Sequence, residues 1–231
     1  MKKLAILQSN YIPWKGYFDL INSVDEFIIL DSVQYTKRDW RNRNYIKTPN
    51  GLKWITIPVK QKGCFFDNID SIEVVSDSWI NSHLSLVKQN YIKSPFYDEV
   101  IAFLEEVYLE CRSLIKLSDI NLLFIKKFSS ILNISTTIRD SSEFDVSSDR
   151  NLRLLDICKA TETTHYVSGP AARAYLDENL FNANGVNVEW MSYEGYPIYN
   201  QQFGEFVHGV SIIDLFFNVG FERSKEYITK R

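Results

Sequence analysis

The first residues that could support chemistry lie in a run of amide, aromatic and glycine side chains at residues 8–17, QSNYIPWKGY. Pro13 and Gly16 predict a fixed turn that leads into a helix, whose free N–H groups attract anions. Lys15 adds a positive charge to this loop. We therefore predict a ligand-binding loop, and an ordinary connection packed by its aromatic rings is the alternative.

A basic segment follows at residues 37–47, in a chain whose net charge is -3. Arginine binds phosphate through paired hydrogen bonds, and aromatic rings stack on bases and sugars. The segment and its flank supply both kinds of group: the cations Lys37, Arg38, Arg41, Arg43 and Lys47 and the aromatic residues Tyr35, Trp40 and Tyr45. The polar residues Asp31 and Gln34 precede them. This composition predicts a site for the phosphates of a nucleotide or a nucleotide-linked sugar, with a solvated charged face as the alternative.

Two segments in the second half of the chain carry further polar candidates. Ser168 and Gly169 end a short apolar run and precede a predicted helix, so their backbone N–H groups could meet an anion. His165, at the start of that run, is a candidate base, although a single histidine is more often packed or hydrogen-bonded. Tyr199 and Gln201 lie in an aromatic and amide-rich segment that suits either sugar recognition or loop packing.

The elements that must position these residues begin with a strand, a helix and a strand at residues 4–7, 17–23 and 26–30. Two short apolar runs around an amphipathic stretch are typical of a βαβ unit, which implies a parallel sheet. Ligands of such sheets bind at the carboxyl ends of the strands, where Gln8 and Asp31 fall.

The rest of the chain continues the α/β pattern without a linker or a low-complexity stretch. Further strands are predicted at residues 53–59, 71–75, 134–138, 165–168 and 186–191. Helices are predicted within residues 78–132 and at 150–160, 171–180 and 211–218. We predict one α/β domain over residues 1–231, Rossmann-like, with a parallel or mixed sheet and a helical section at about residues 78–132.

Composition narrows the classes of function. The net charge of -3 argues against a nucleic-acid binder. No stretch approaches the ~20 apolar residues of a membrane span, and the amino terminus lacks the apolar core of a secretion signal. Cys64, Cys111 and Cys158 are far apart and form no Cys/His cluster, which predicts reduced thiols and no metal site. We expect a cytoplasmic protein with no membrane insertion.

With these motifs the chain resembles the WbqC-like family of bacterial proteins nearly from end to end. The resemblance is carried by a dispersed, ordered set: Gln8, Tyr11, Pro13, Trp14, Gly16, Tyr17, Asp31, Gln34, Trp40, Asn42, Arg43, Lys47, Trp54, Pro58, Val59, Tyr166, Ser168, Gly169, Tyr175, Tyr199, Gln201 and residues 211–218. The chain departs from the family pattern at Ser9, where a proline is common, and at His208 and Gly209, where a Pro-Asn pair is common. The family is associated with gene clusters for O-antigen and other lipopolysaccharide components, which implies a role in surface-polysaccharide biosynthesis.

The residues and the resemblance together favour a transferase that moves an acyl or aminoacyl group to the amine of a nucleotide-linked amino sugar. Asp31 or His165 would deprotonate the amine, and the basic segment would hold the diphosphate. The residues expected to bind substrate are Gln8, Tyr11, Trp14, Gly16, Tyr17, Gln34, Arg38, Trp40, Arg41, Arg43, Lys47, Ser168, Gly169, Tyr199 and Gln201. An activated acyl donor is the second expected partner, the cofactor is left open, and a homo-oligomer is compatible with the sequence.

The sequence also allows two other functions. Nucleotidyl or phosphoryl transfer would use Mg²⁺ with Asp31 as a ligand. It is suggested by a loose resemblance of the first strand, loop and helix to adenylate-forming enzymes such as pantothenate synthetase, although only Gly16 of their HxGH motif is present. The other alternative is a non-catalytic protein that binds a nucleotide-linked sugar without turnover.

Overall fold

The computed structural model describes residues 1–60 and 66–229 of the chain. Within these residues there are seven β-strands: β1 (Lys3–Leu7), β2 (Glu26–Ile29), β3 (Arg43–Thr48), β4 (Gly51–Thr56), β5 (Thr137–Asp140), β6 (His165–Ser168) and β7 (Asn187–Trp190). Five of them form a parallel sheet in the order β5-β2-β1-β6-β7, and β3 pairs with β4 in a separate antiparallel hairpin.

The described residues also form eight α-helices: α1 (Lys15–Asn22), α2 (Ser78–Tyr91), α3 (Tyr97–Cys111), α4 (Leu117–Ile131), α5 (Arg150–Ala160), α6 (Glu178–Ala183), α7 (Ile213–Val219) and α8 (Phe221–Ile228). β1, α1 and β2 make the predicted βαβ unit, and α2 to α4 make the predicted helical section. The Rossmann-like α/β prediction is therefore confirmed.

The sheet separates two hydrophobic clusters because alternate side chains of a strand point to opposite faces. Ala5 and Phe27 belong to the larger cluster, to which α1 to α4, α7 and α8 contribute. Leu4 and Ile28 belong to the smaller one, which α5 and α6 cover. Both faces of the parallel sheet are thus buried, and its ends are left to carry polar groups.

The order of the strands in the central sheet indicates where a ligand-binding crevice should lie. Counted along the chain, its five members have the order 3-2-1-4-5, so the direction of winding reverses between β1 and β6. The helix after β1 and the helix after β6 lie on opposite faces of the sheet. A crevice is expected at the carboxyl ends of these two strands, which is the usual ligand position in this architecture.

Some local predictions were wrong. The strand expected at 53–59 is present as β4, but its partner β3 was not predicted, because its charged sequence lacks a strand pattern. The two-residue connection 49–50 favours the hairpin that β3 and β4 form. Residues 71–75 make only isolated bridges after a short 3₁₀ turn at Ile69–Ser71. The helix expected at 171–180 is interrupted: a 3₁₀ turn at Pro170–Ala174 precedes α6, which the carboxylate of Asp177 caps.

Two of the cysteines lie in the core as unbonded thiols. Burial raises the pKa of both Cys111 and Cys158 to about 12, so neither is a thiolate near neutral pH. Cys64 lies outside the described residues. No helix in the described part of the chain is long and apolar enough to cross a bilayer.

Candidate active site

A cavity of about 740 Å³ opens where the winding of the sheet reverses, at the carboxyl ends of β1 and β6. Gln8 follows β1 directly, and Ser168 and Gly169 lie at the end of β6. Gln34 lines the same cavity from the segment that follows β2. Four predicted site residues from three distant segments are therefore brought together in the structure.

Two arginines at the start of α5 supply the positive charge of this cavity. Arg150 and Arg153 line it, and the Arg150 guanidinium lies 4.6 Å from the ring centroid of Tyr175, which also lines it. Arg153 is held by hydrogen bonds to the carbonyl oxygens of Ser147 and Ser148. Among the described residues that line the cavity there is no carboxylate. The cavity is therefore suited to an anion.

Sequence reasoning missed these two arginines as site residues. A signal was present, because residues three apart on a helix lie on the same face, and both fall in the first turns of a predicted helix. The helix also begins after a polar loop that follows a strand of the sheet. In a parallel sheet such loops lie at the ligand-binding edge, so Arg150 and Arg153 qualified as candidates.

Gln8 is held in place from behind by two of the predicted residues. The Arg41 guanidinium donates hydrogen bonds to Gln8 Oε1, at 3.2 Å, and to Asn10 Oδ1. The Tyr17 hydroxyl donates to the Gln8 carbonyl oxygen at 3.1 Å. Arg41 and Tyr17 are thus positioning residues for the wall of the cavity.

Asp31 lies between the cavity-lining residues Leu30 and Ser32 and is only 1% exposed. Its Oδ1 accepts the Ser9 N–H at 2.8 Å, whereas Oδ2 has no hydrogen-bond partner among the described residues. Burial raises the pKa of Asp31 to about 6, although the hydrogen bonds from Ser9 and the charge of Arg41 oppose the rise. A carboxylate with an unpaired oxygen and a pKa near neutrality has the properties of a general base.

The structure places the second predicted base, His165, at the other edge of the sheet. His165 is the first residue of β6 and lies about 10 Å along the strand from Ser168. Its Nε2 atom is 3.9 Å from Glu189 Oε1. This position does not allow contact with a ligand at the carboxyl ends of the strands.

No group of three or more His, Cys, Asp or Glu side chains in the described chain could hold a metal ion.

Tyr11 is part of the core rather than of a ligand site. It is fully buried, and its hydroxyl makes hydrogen bonds of 2.6 Å to the Tyr108 hydroxyl and 2.9 Å to His83 Nδ1. Burial lowers the pKa of His83 to about 4, so this histidine is neutral at physiological pH. The expected contact of Tyr11 with substrate is corrected by this placement.

The predicted basic segment does not form one patch. Arg38 is exposed, and Arg43 stacks on Trp54 with its guanidinium 3.9 Å from a ring centroid. Lys47 is buried and donates to the carbonyl oxygen of Glu205. The strand β3 separates Arg43 from Lys47 by about 13 Å, and the two side chains have different partners, so the cations of the segment do not form one cluster.

Tyr199 and Gln201 hold a buried carboxylate. The Tyr199 hydroxyl and the Gln201 amide each donate to Asp214 Oδ1 at 2.8 Å. Lys15 also points into this region: it is 2% exposed and donates to the Pro197 carbonyl oxygen at 2.9 Å. Burial lowers the pKa of Lys15 to about 8. Lys15 thus ties the irregular segment 191–210 to α1, and Tyr199 and Gln201 tie it to α7. Lys15 is not among the residues that line the cavity.

Trp14 and Trp40 line a second, smaller cleft of about 210 Å³. Gly16 leaves room for the Trp14 ring, because a Cβ atom at residue 16 would lie 2.3 Å from Trp14 Cζ2. The glycine that was expected to open a helix N-terminus for anions is therefore required by the packing of an indole ring.

Comparisons with known proteins agree with the resemblance seen in the motifs. Residues 8–226 match the WbqC-like protein family. The chain is 46% identical over 222 residues to the uncharacterized protein Rv1507c of Mycobacterium tuberculosis (strain ATCC 25618 / H37Rv), with 96% of each chain covered. No solved structure matches.

Proposed function

Because the chain belongs to the WbqC-like protein family, we propose that it is a transferase that moves an acyl or aminoacyl group to the amine of a nucleotide-linked amino sugar. One observation carries this proposal: two arginines and no carboxylate line the crevice at the carboxyl ends of β1 and β6. This architecture binds nucleotides at that crevice, and arginine matches the geometry of a diphosphate.

In the proposed arrangement, different residues of the cavity bind different parts of the ligand. Arg150 and Arg153 bind the diphosphate, and the backbone around Gly169 lets the ligand approach β6 closely. A Cβ atom added to Gly169 would meet the Tyr193 side chain in ordinary contact, at 3.5 Å from its hydroxyl and 3.9 Å from Cε2. Gln8 and Gln34 also line the cavity, and their amide groups suit the hydroxyl groups of a sugar.

The proposed reaction uses Asp31 as the base. The amine nitrogen attacks the carbonyl carbon of the donor, and a C–N bond forms while the donor's C–O or C–S bond breaks. Asp31 lies behind the lining residues Leu30 and Ser32, so in this proposal a bridging water molecule carries the proton of the amine to Asp31 Oδ2, and the electron pair leaves with the donor's oxygen or sulfur. A carboxylate whose pKa is raised to about 6 accepts this proton more readily than an ordinary aspartate.

The binding step is tested by calorimetry with uridine diphosphate and adenosine diphosphate. We expect Arg150→Ala to weaken the binding of the preferred nucleotide by roughly tenfold to a hundredfold, since a hydrogen bond to a charged group contributes about 1.5–3 kcal/mol. Arg173→Ala is the matched control: Arg173 also stacks on an aromatic ring, that of Trp190, but does not line the cavity. Equal losses in the two variants, or none in either, would refute the assignment.

The chemical step is tested by incubating the protein with a nucleotide-linked amino sugar and activated acyl donors, and by following the mass of the sugar. We expect an acylated product with the wild-type chain and none with Asp31→Asn, which should still bind the nucleotide. Release of pyrophosphate would indicate nucleotidyl transfer instead. Nucleotide binding without a product from any donor would indicate a non-catalytic binding protein.

A further inference from the structure

The helix α4 carries one buried amide among buried side chains that are otherwise almost all apolar. Asn121 is fully buried, and its Oδ1 atom has no hydrogen-bond partner among the described residues. The residues of α4 buried with it are Leu117, Ile120, Phe124, Ile125, Phe128 and Ser129. A buried acceptor without a partner costs free energy that an apolar side chain at this position would avoid. The stability of the core therefore does not account for this amide.

The amide nitrogen of Asn121 joins two segments that build the wall of the cavity. It donates hydrogen bonds to Ser9 Oγ at 3.0 Å and to the Arg41 carbonyl oxygen at 2.8 Å. Ser9 follows the cavity-lining Gln8 in the chain, and the Arg41 guanidinium bonds the Gln8 side chain. Both N–H bonds of the amide are thus used to tie α4 to these segments.

These two contacts also determine the direction of the Ser9 hydroxyl. A carbonyl oxygen only accepts hydrogen bonds, so the Asn121 atom that faces the Arg41 carbonyl is the nitrogen and not the oxygen. The same nitrogen meets Ser9 Oγ, which therefore accepts. The one proton of the hydroxyl is left for another acceptor, and Asp31 is that acceptor.

Ser9 thus meets Asp31 with both of its donors. Its N–H donates to Asp31 Oδ1 at 2.8 Å, and the hydrogen bonds from its N–H and its hydroxyl both lower the pKa of the carboxyl group against the effect of burial. Two other charged groups act on Asp31: Arg41 lowers its pKa, and Asp140 at the end of β5 raises it. The Tyr17 hydroxyl is neutral, because burial and the charge of Asp31 raise its pKa well above the ordinary value.

We propose that Asn121 is a positioning residue for the base, because it orients the Ser9 hydroxyl towards Asp31. The inference rests on the proposed function for the role of Asp31 and adds a residue of α4 that controls this carboxylate. The bonds from Asn121 to Ser9 and from Ser9 to Asp31 run in one direction, so each polarises the next. Asn121 does not line the cavity, and it therefore acts without touching a ligand.

The pKa of Asp31 is the quantity that a purely structural role of Asn121 would not change. It is measured by NMR in a chain labelled with ¹³C at the aspartate carboxyl carbons, in which the Asp31 signal is the one absent from Asp31→Asn. Ser9→Ala should raise this pKa by roughly one pH unit, because the charged form loses a donor. Asn121→Ala leaves the hydroxyl but not its orientation, so the rise should be about half as large.

The double variant tests the path of the effect. If Asn121 acts through the Ser9 hydroxyl, adding Asn121→Ala to Ser9→Ala should cause no further rise in the pKa of Asp31. A rise equal to the sum of the two single rises, or no rise in Asn121→Ala alone, would overturn the proposal. Should Asn121→Ala not fold, Asn121→Ser takes its place, because a helical serine bonds the carbonyl oxygen of the preceding turn and withdraws the same donor.

Asn42→Ala is the matched control for the loss of a buried amide. Asn42 is also buried, its amide nitrogen donates to the Ile57 carbonyl oxygen at 2.8 Å, and its Oδ1 atom has no partner among the described residues. We expect this variant to leave the pKa of Asp31 unchanged. An equal rise in Asn42→Ala and Asn121→Ala would show a general loosening of the core and would refute a specific role of Asn121.

This inference and the proposed function fail in distinguishable ways, because the titration needs no substrate. A pKa that responds as expected, in a chain that makes no product, supports the role of Asn121 and refutes the reaction. An acylated product together with a pKa that ignores Asn121 supports the reaction and refutes the positioning role. If both are correct, the acid limb of the rate profile moves to higher pH in Asn121→Ala by as much as the pKa of Asp31.

Discussion

Replacing Asp31 with asparagine should make the protein more stable at neutral pH. The carboxylate is 1% exposed, and burial raises its pKa from an ordinary value of 3.8 to about 6. Between these two pH values the folded state binds more protons than the unfolded state, so the free energy of unfolding falls as the pH rises. Above about pH 6 the full penalty applies, roughly 3 kcal/mol at 1.36 kcal/mol for each pH unit.

The asparagine variant never ionises, so it escapes this penalty. Its side chain can still accept the Ser9 N–H, and we allow about 1 kcal/mol for a weaker hydrogen bond. The expected gain in the free energy of unfolding is therefore about 2 kcal/mol at neutral pH and close to zero near pH 4.

Urea unfolding of both chains from about pH 4 to pH 8 measures this difference. Asp156→Asn is the control, because Asp156 also accepts one backbone N–H, from Ser147, but is only half-buried. It should give no gain at neutral pH. Parallel stability curves for the wild type and Asp31→Asn would show that the buried carboxylate carries no penalty, and the argument for a base poised near neutrality would be lost.

Two further substitutions test the core placements. Gly16→Ala should cost about 1–3 kcal/mol of stability in thermal unfolding, because the new Cβ displaces the Trp14 ring, whereas Gly209→Ala should be neutral; equal effects of the two alanines would contradict this packing. Tyr11→Phe should cost about 1–3 kcal/mol in urea unfolding, because it leaves His83 Nδ1 and the Tyr108 hydroxyl without the Tyr11 hydroxyl, and nucleotide affinity should be unchanged. A weaker nucleotide affinity would instead place Tyr11 at the ligand.

Local sequence patterns were sufficient for the parts of the fold that depend on neighbouring residues. The first βαβ unit and the α2 to α4 section follow from apolar periodicity, which is a property of consecutive residues. The ends of β1 and β2 follow with them, and this is why Gln8 was predicted at the edge where the cavity opens. The choice of His165 as a base was wrong, although its own predicted strand argued against it, because the first residue of a parallel strand lies at the edge opposite the ligand.

The basic segment shows where such patterns fail. Five cations close together in the sequence suggested one patch, but β3 extends the chain and gives Arg43 and Lys47 different partners. Their partners, Trp54 and Glu205, come from the hairpin and from a distant segment. Local composition cannot specify these contacts, because they depend on how the hairpin packs on the rest of the chain.

The sequence by itself determined the α/β class, the family and the presence of polar residues at the carboxyl ends of β1, β2 and β6. Only the tertiary structure decided which of them face a common cavity and that Arg150 and Arg153 join them. The physical reason is the range of the interactions involved. Periodicity within a strand or helix is local, whereas the order of strands in a parallel sheet is set by crossovers and by burial on both faces.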